Sequence, residues 1–201
     1  MLRLSLALIF AAIAIPAYAA ETEFPDWPCV QRKVISLTPA AVWTGPVFEG
    51  EMDWSNDDVV SDMVARLSQR RVPLEEAEAE IEAFAQSAGA EGADRLTMLF
   101  AGLFATMDAE RSDIIAGIER YGRRQKELAQ SVRALSAEVD RLRTASDPDL
   151  AALERAETDL LWQTRIFNER RTTLAYVCEV PRFVEKRLFT LGRSITKSMK
   201  Q

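Results

Sequence analysis

Residues 100–142 read FAGLFATMDAERSDIIAGIERYGRRQKELAQSVRALSAEVDRL. Taken at alternating steps of four and three, the stretch presents Phe100, Phe104, Met107, Arg111, Ile114, Ile118, Tyr121, Gln125, Leu128, Val132, Leu135, Val139 and Leu142. Eleven of these thirteen are apolar or aromatic. That spacing keeps one face of a helix apolar and requires a partner helix. Held over about six heptads it reads as a coiled coil, ~63 Å long if unbroken. Ile118, Val132 and Val139 take a positions, and Leu128, Leu135 and Leu142 take d positions. Arg111 and Gln125 are polar intruders at a, a pattern that fixes register at some cost in stability. An Arg111 turned toward a ligand is the alternative.

The partner follows in the chain. Thr144-Ala145-Ser146 is a polar tip, and Asp147-Pro148-Asp149 is a helix start: a cap, a proline at the first position, then an acid. Beyond it Leu150, Leu153, Glu157, Leu160, Thr164, Phe167, Arg171, Leu174 and Cys178 recur at threes and fours. Folded back antiparallel, Leu142 meets Leu150, Val139 meets Leu153, Val132 meets Leu160 and Ile118 meets Leu174. Tyr121 then faces Arg171, and Gln125 faces Phe167. The reading is a hairpin of helices near 94–144 and 148–178, with Arg111, Gln125, Glu157 and Arg171 as polar seam residues. β-branched a and leucine d positions also suit a parallel two-chain coil, so a homodimer through the coiled coil is the competing arrangement.

Upstream, residues 55–107 read as a small helical head. Ser55-x-x-Asp58 resembles a capping box before Val59, Val60, Met63, Val64 and Leu67. Pro73 opens a second helix with Leu74, Ala77, Ile81, Phe84 and Ala88 on one face. Its glutamates, Glu75, Glu76, Glu78, Glu80 and Glu82, form a solvated face. Leu96 to Met107 is apolar on several faces, which asks for burial among several helices, and residues 108–178 leave the head as the hairpin. Gly117 and Gly122 are places where the long helix is expected to bend.

Residues 21–54 read as an irregular wrap, punctuated by Pro25, Pro28, Pro39 and Pro46. Trp27, Trp43 and Trp54 lie in it and are expected to pin it across the helices. At the other end Pro181 breaks the returning helix. Residues 182–200 then form a basic amphipathic helix with Val184, Leu188, Leu191, Ile195 and Met199 on one face. Arg182, Lys186, Arg187, Arg193, Lys197 and Lys200 surround it as candidate contacts to a membrane or partner, against one acid, Glu185. The apolar face is expected to dock on the head, with the cations near the glutamates.

Arg3, the apolar run Leu4–Ile15 and Ala17-Tyr18-Ala19 have the layout of a signal peptide, residues 1–19, leaving residues 20–201 as one exported, periplasmic helical domain. In an oxidising compartment Cys29 and Cys178 are expected to pair, as the hairpin returns Cys178 to the head. Histidine is absent, which removes Ser-His and Cys-His catalysis, histidine-ligated zinc and Glu-x-x-His di-iron sites. No phosphate-binding loop, dinucleotide fingerprint or nucleophile elbow occurs. No metal or cofactor is expected. The net charge of −6, with basic residues gathered at one end, argues against a nucleic-acid partner.

The expected function is therefore a non-enzymatic interaction protein of the cell envelope (adaptor, scaffold or chaperone) acting through the hairpin on an envelope protein. The layout resembles that of exported helical proteins that act by contact, such as periplasmic chaperones and the hairpins of efflux adaptors. The alternatives are an accessory protein held on an anionic membrane surface by its C-terminal helix, and a carboxylate-based enzyme.

Overall fold

The computed structural model describes residues 24–48 and 52–200. The expected signal peptide lies outside the described residues. Six helices follow in order: α1 Pro39–Val42, α2 Asp58–Leu67, α3 Leu74–Ser87, α4 Gly92–Arg143, α5 Leu150–Val177 and α6 Val180–Ser198. Single 3-10 turns stand at Trp54–Asn56 and Gly89–Glu91. The described residues contain no strand. The fold is all-α, and α4 with α5 makes the antiparallel hairpin.

Local chemistry sets the helix starts, and in two places it differs from the reading above. The cap of α2 is Asp57, not Ser55: its carboxylate accepts the N–H groups of Val59 and Val60, both at 3.1 Å. Ser55 lies within the preceding 3-10 turn. Arg95 from α4 holds the same carboxylate through two 2.8 Å hydrogen bonds, so the cap also ties α2 to α4. The cap of α5 is Asp149, which accepts from the Ala152 N–H at 3.0 Å. The helix starts two residues later than the Asp147-Pro148 signal implied, because a capping carboxylate serves the N–H groups two and three positions ahead.

α4 runs unbroken for 52 residues, ~78 Å. It passes through Gly117 and Gly122 as continuous helix. Gly122 instead serves close approach: a Cβ there would strike the Asp26 carbonyl oxygen and lie 3.1 Å from Pro28. The N-terminal segment crosses α4 at this point. No position of the heptad stripe from Phe100 to Leu142 is exposed, so the whole stripe finds cover.

The core of the head joins four helices. Val60, Val64 and Leu67 of α2, Ala77, Ile81 and Phe84 of α3, Leu96 to Met107 of α4, and Val184, Leu188, Leu191 and Ile195 of α6 form one cluster with Val42, Trp43 and Val72. The broad apolar surface of early α4 is thus shared among α2, α3 and α6. Trp43 stacks on Phe100 with ring centroids 4.0 Å apart, and Trp54 packs against the same cluster. These rings pin the N-terminal segment as expected. Two residues, Cys178 and Glu179, separate α5 from α6, which has Pro181 in its first turn. The break is a bend, and it turns the apolar face of α6 onto the head.

Candidate functional site

Where the hairpin meets the head, Cys29 and Cys178 are joined, with Cα atoms 5.7 Å apart and 149 residues between them in sequence. Gln31 donates its side-chain N–H to the Cys178 carbonyl. Arg111 is 1% exposed beside this junction. Its Nε donates to Glu185 at 2.7 Å and its Nη2 to the Val34 carbonyl at 2.7 Å. Arg111 thus links α4, α6 and the N-terminal segment. Its donors are spent on protein, so the ligand-facing alternative has no support in the geometry.

The polar residues of the seam separate into two groups. Tyr121 donates to the Arg170 carbonyl at 3.0 Å, and Gln125 donates through Nε2 to the Phe167 carbonyl at 3.0 Å. These bonds carry the expected register. Glu157 and Arg171 do not lie in the seam. Glu157 is exposed and pairs with Arg143 at 2.7 Å, and Arg171 is exposed. The buried residue on α5 is Ala156, clustered with Val139 and Leu142. Its small side chain lets α4 close in, which rotates α5 relative to the expected face. Leu150, expected opposite Leu142, is 73% exposed and does not cover it.

The six cations of the C-terminal segment, five on α6 and Lys200 just beyond it, also divide. Arg187 is 7% exposed and points inward. It donates to the Leu67 carbonyl from Nε at 3.0 Å and Nη2 at 2.8 Å, and to the Val72 carbonyl from Nη1 at 2.9 Å. It therefore satisfies the C-terminal end of α2 and is no surface contact. Burial pulls its pKa below the ordinary arginine value. Arg182 pairs with Glu179 at 3.0 Å. Lys186, Arg193, Lys197 and Lys200 are exposed. Arg193 and Lys197 share an open cleft with Glu75, Glu78 and Glu82, with no ion pair across it among the described residues.

The feature that sequence reading missed is the outward face of α5. Leu161, Trp162 and Ile166 are 70%, 56% and 39% exposed, and Tyr176 is exposed near the base. The Arg165 guanidinium sits 5.8 Å over the Trp162 ring and pairs with Glu169 at 2.9 Å. The available signal was a tryptophan off the seam stripe, on an arm with only one other helix to cover it.

Among the described residues no group of three metal-ligating side chains is gathered, and no described helix is long and apolar enough to cross a membrane. Comparison with protein-family models, curated proteins and solved structures finds no match.

Proposed function

We propose that the chain is an exported, non-enzymatic interaction protein of the cell envelope, an adaptor, scaffold or chaperone, whose binding surface is the outward face of α5. One observation carries this reading: Leu161, Trp162 and Ile166 stand exposed together on an arm that projects from the head. Exposed aromatic and aliphatic side chains gathered on one helix face are the usual anchors of a helix-to-helix interface. The buried cations are spent on architecture: Arg111 and Arg187 hold elements together. Proximity labelling from the hairpin tip in the native envelope tests the reading. Trp162→Glu should lose the principal labelled neighbours while keeping the parent melting temperature. An unchanged neighbour set would overturn it.

A second reading rests on the outward face of α6. Phe183 and Phe189 are exposed there, with Arg193 5.8 Å over the Phe189 ring. Aromatics interleaved with cations suit an anionic lipid surface. Sedimentation with anionic vesicles decides between the readings: binding lost in Phe183→Ser with Phe189→Ser would favour the lipid surface.

A further inference from the structure

Residues 24–36 lie as a strap along α4. Pro25 and Asp26 meet Lys126, Asp26 and Pro28 press on Gly122, Lys33 pairs with Glu119, and the Val34 and Ile35 carbonyls accept from Arg111. These contacts follow α4 backward in order, from Lys126 to Arg111, over ~23 Å. The strap has neither helix nor strand, and none of its residues belongs to the apolar core of the head, which the chain first reaches at Leu37. Val30, Val34 and Ile35 are exposed. The pairs of Asp26 with Arg123 and Lys126 are open to solvent, where such pairs are worth little. Arg111 makes the most buried polar contact to the strap. If the two carbonyls leave, Glu185 still holds the guanidinium and water takes their place. What keeps the strap down is therefore its covalent tie, the Cys29–Cys178 bond.

That tie is within reach of solvent. A cleft of about 360 Å³ opens onto it, lined by Pro28, Cys29, Arg171, Leu174 and Cys178. Cys29 is the less buried of the two cysteines, and Cys178 is 6% exposed. Arg171 stands exposed on the wall of the cleft, and a cation beside a sulfur favours the thiolate that disulfide exchange requires. We infer that Cys29–Cys178 is a reducible latch: a dithiol reacting in this cleft frees the strap from α4 while the head and hairpin stay folded. One thiolate of the dithiol bonds to the Cys29 sulfur, the Cys29–Cys178 bond breaks, and Cys178 leaves as a thiolate that takes up a proton. The second thiolate of the dithiol then displaces Cys29, which is protonated in turn, and the dithiol departs oxidised to its own disulfide. Opening uncovers Arg111 and Ile115, 1% and 5% exposed under the closed strap. Both line a small cavity that Trp27 and Val34 of the strap help to close. The latch thus hides or presents a cationic and apolar surface at the base of the hairpin, whatever occupies the outward face of α5.

Limited trypsin digestion of the full chain tests the proposal, with Arg32 and Lys33 as the cleavage sites of the strap. The oxidised chain is compared with chain reduced by dithiothreitol without denaturant, alkylated with iodoacetamide and desalted. The expected result is that both cysteines are alkylated and that cleavage after Arg32 and Lys33 rises about tenfold or more, because proteolysis follows the population of the open segment. Circular dichroism should keep the helical signal and a cooperative melt. Cys29→Ser with Cys178→Ser should be cut at the fast rate without any reduction. Arg171→Glu should be reduced by dithiothreitol about threefold or more slowly than the parent. Three results would overturn the proposal. The first is a bond reduced only in urea that unfolds the chain. The second is a reduced strap that resists trypsin as the oxidised one does. The third is reduction that abolishes the cooperative melt, which would make the bond a staple of the whole fold.

Discussion

Arg187 makes three hydrogen bonds to two carbonyls, at Leu67 and Val72, from inside the head. Removing the guanidinium leaves both carbonyls without this partner in a region water reaches poorly. Arg187→Ala should destabilise by roughly 2–4 kcal/mol, measured by urea melting, and Arg187→Lys should recover only part, because one ammonium cannot span both acceptors. Arg193→Ala, on the same helix but exposed, should be close to neutral. Asp57 gives a pH-dependent counterpart. The hydrogen bonds from Arg95, then the Val60 N–H, hold its carboxyl below the ordinary value of 3.8. A carboxylate depressed in the folded state contributes stability that is fully present above that ordinary value. The contribution is lost as pH falls through the lower folded value. Thermal melts should therefore show an acid limb that flattens in Asp57→Asn, and an unchanged limb would remove Asp57 as its source. Neither the Arg187 bonds nor the Asp57–Arg95 pair was legible in the sequence. Both depend on where α2 ends and on which helix crosses it, and Arg187 shares its spacing with cations that do face water.

At the scale of elements, the hairpin was legible because its signal is long. A stripe sustained over thirteen positions fixes a helix face, and a polar tip with a proline fixes the reversal. Gln125 reaching the Phe167 carbonyl is the register that pairing by sequence implied. The rotation of α5 was not legible. The cluster around Ala156 depends on side-chain volume, and spacing alone cannot choose between Ala156 and Glu157 as the inward residue. That small rotation carried Glu157 and Arg171 out of the seam. The pairing of Cys29 with Cys178 followed from the same hairpin. Its loop, 149 residues in separation, makes the crosslink worth up to ~5 kcal/mol in the chain-entropy model. Cys29→Ser with Cys178→Ser should lower stability by about 2–5 kcal/mol. Alkylation of the freshly isolated parent without reductant should add no label, and two labelled thiols would refute the bond.

At the scale of the molecule, the C-terminal helix decides whether the head exists. Val184, Leu188, Leu191 and Ile195 are each 0% exposed, and they pack against residues from α2, α3 and α4. Full burial of a large aliphatic side chain is worth about 1.5–3 kcal/mol, so these four together supply on the order of 6–12 kcal/mol before entropy. A domain of this size is stable by only about 5–15 kcal/mol in total. Truncation after Pro181 removes that packing and the Arg187 bonds with it. It also uncovers Phe100, whose ring lies beside Gly192 of α6. The truncated chain should lose its cooperative melting transition and aggregate, read by circular dichroism and light scattering. The isolated hairpin does not rescue it, since among the described residues the cover for early α4 comes from the head. A truncated chain that melts like the parent would mean that α6 rests on the head without supporting it, and its apolar face would then be free to serve another surface.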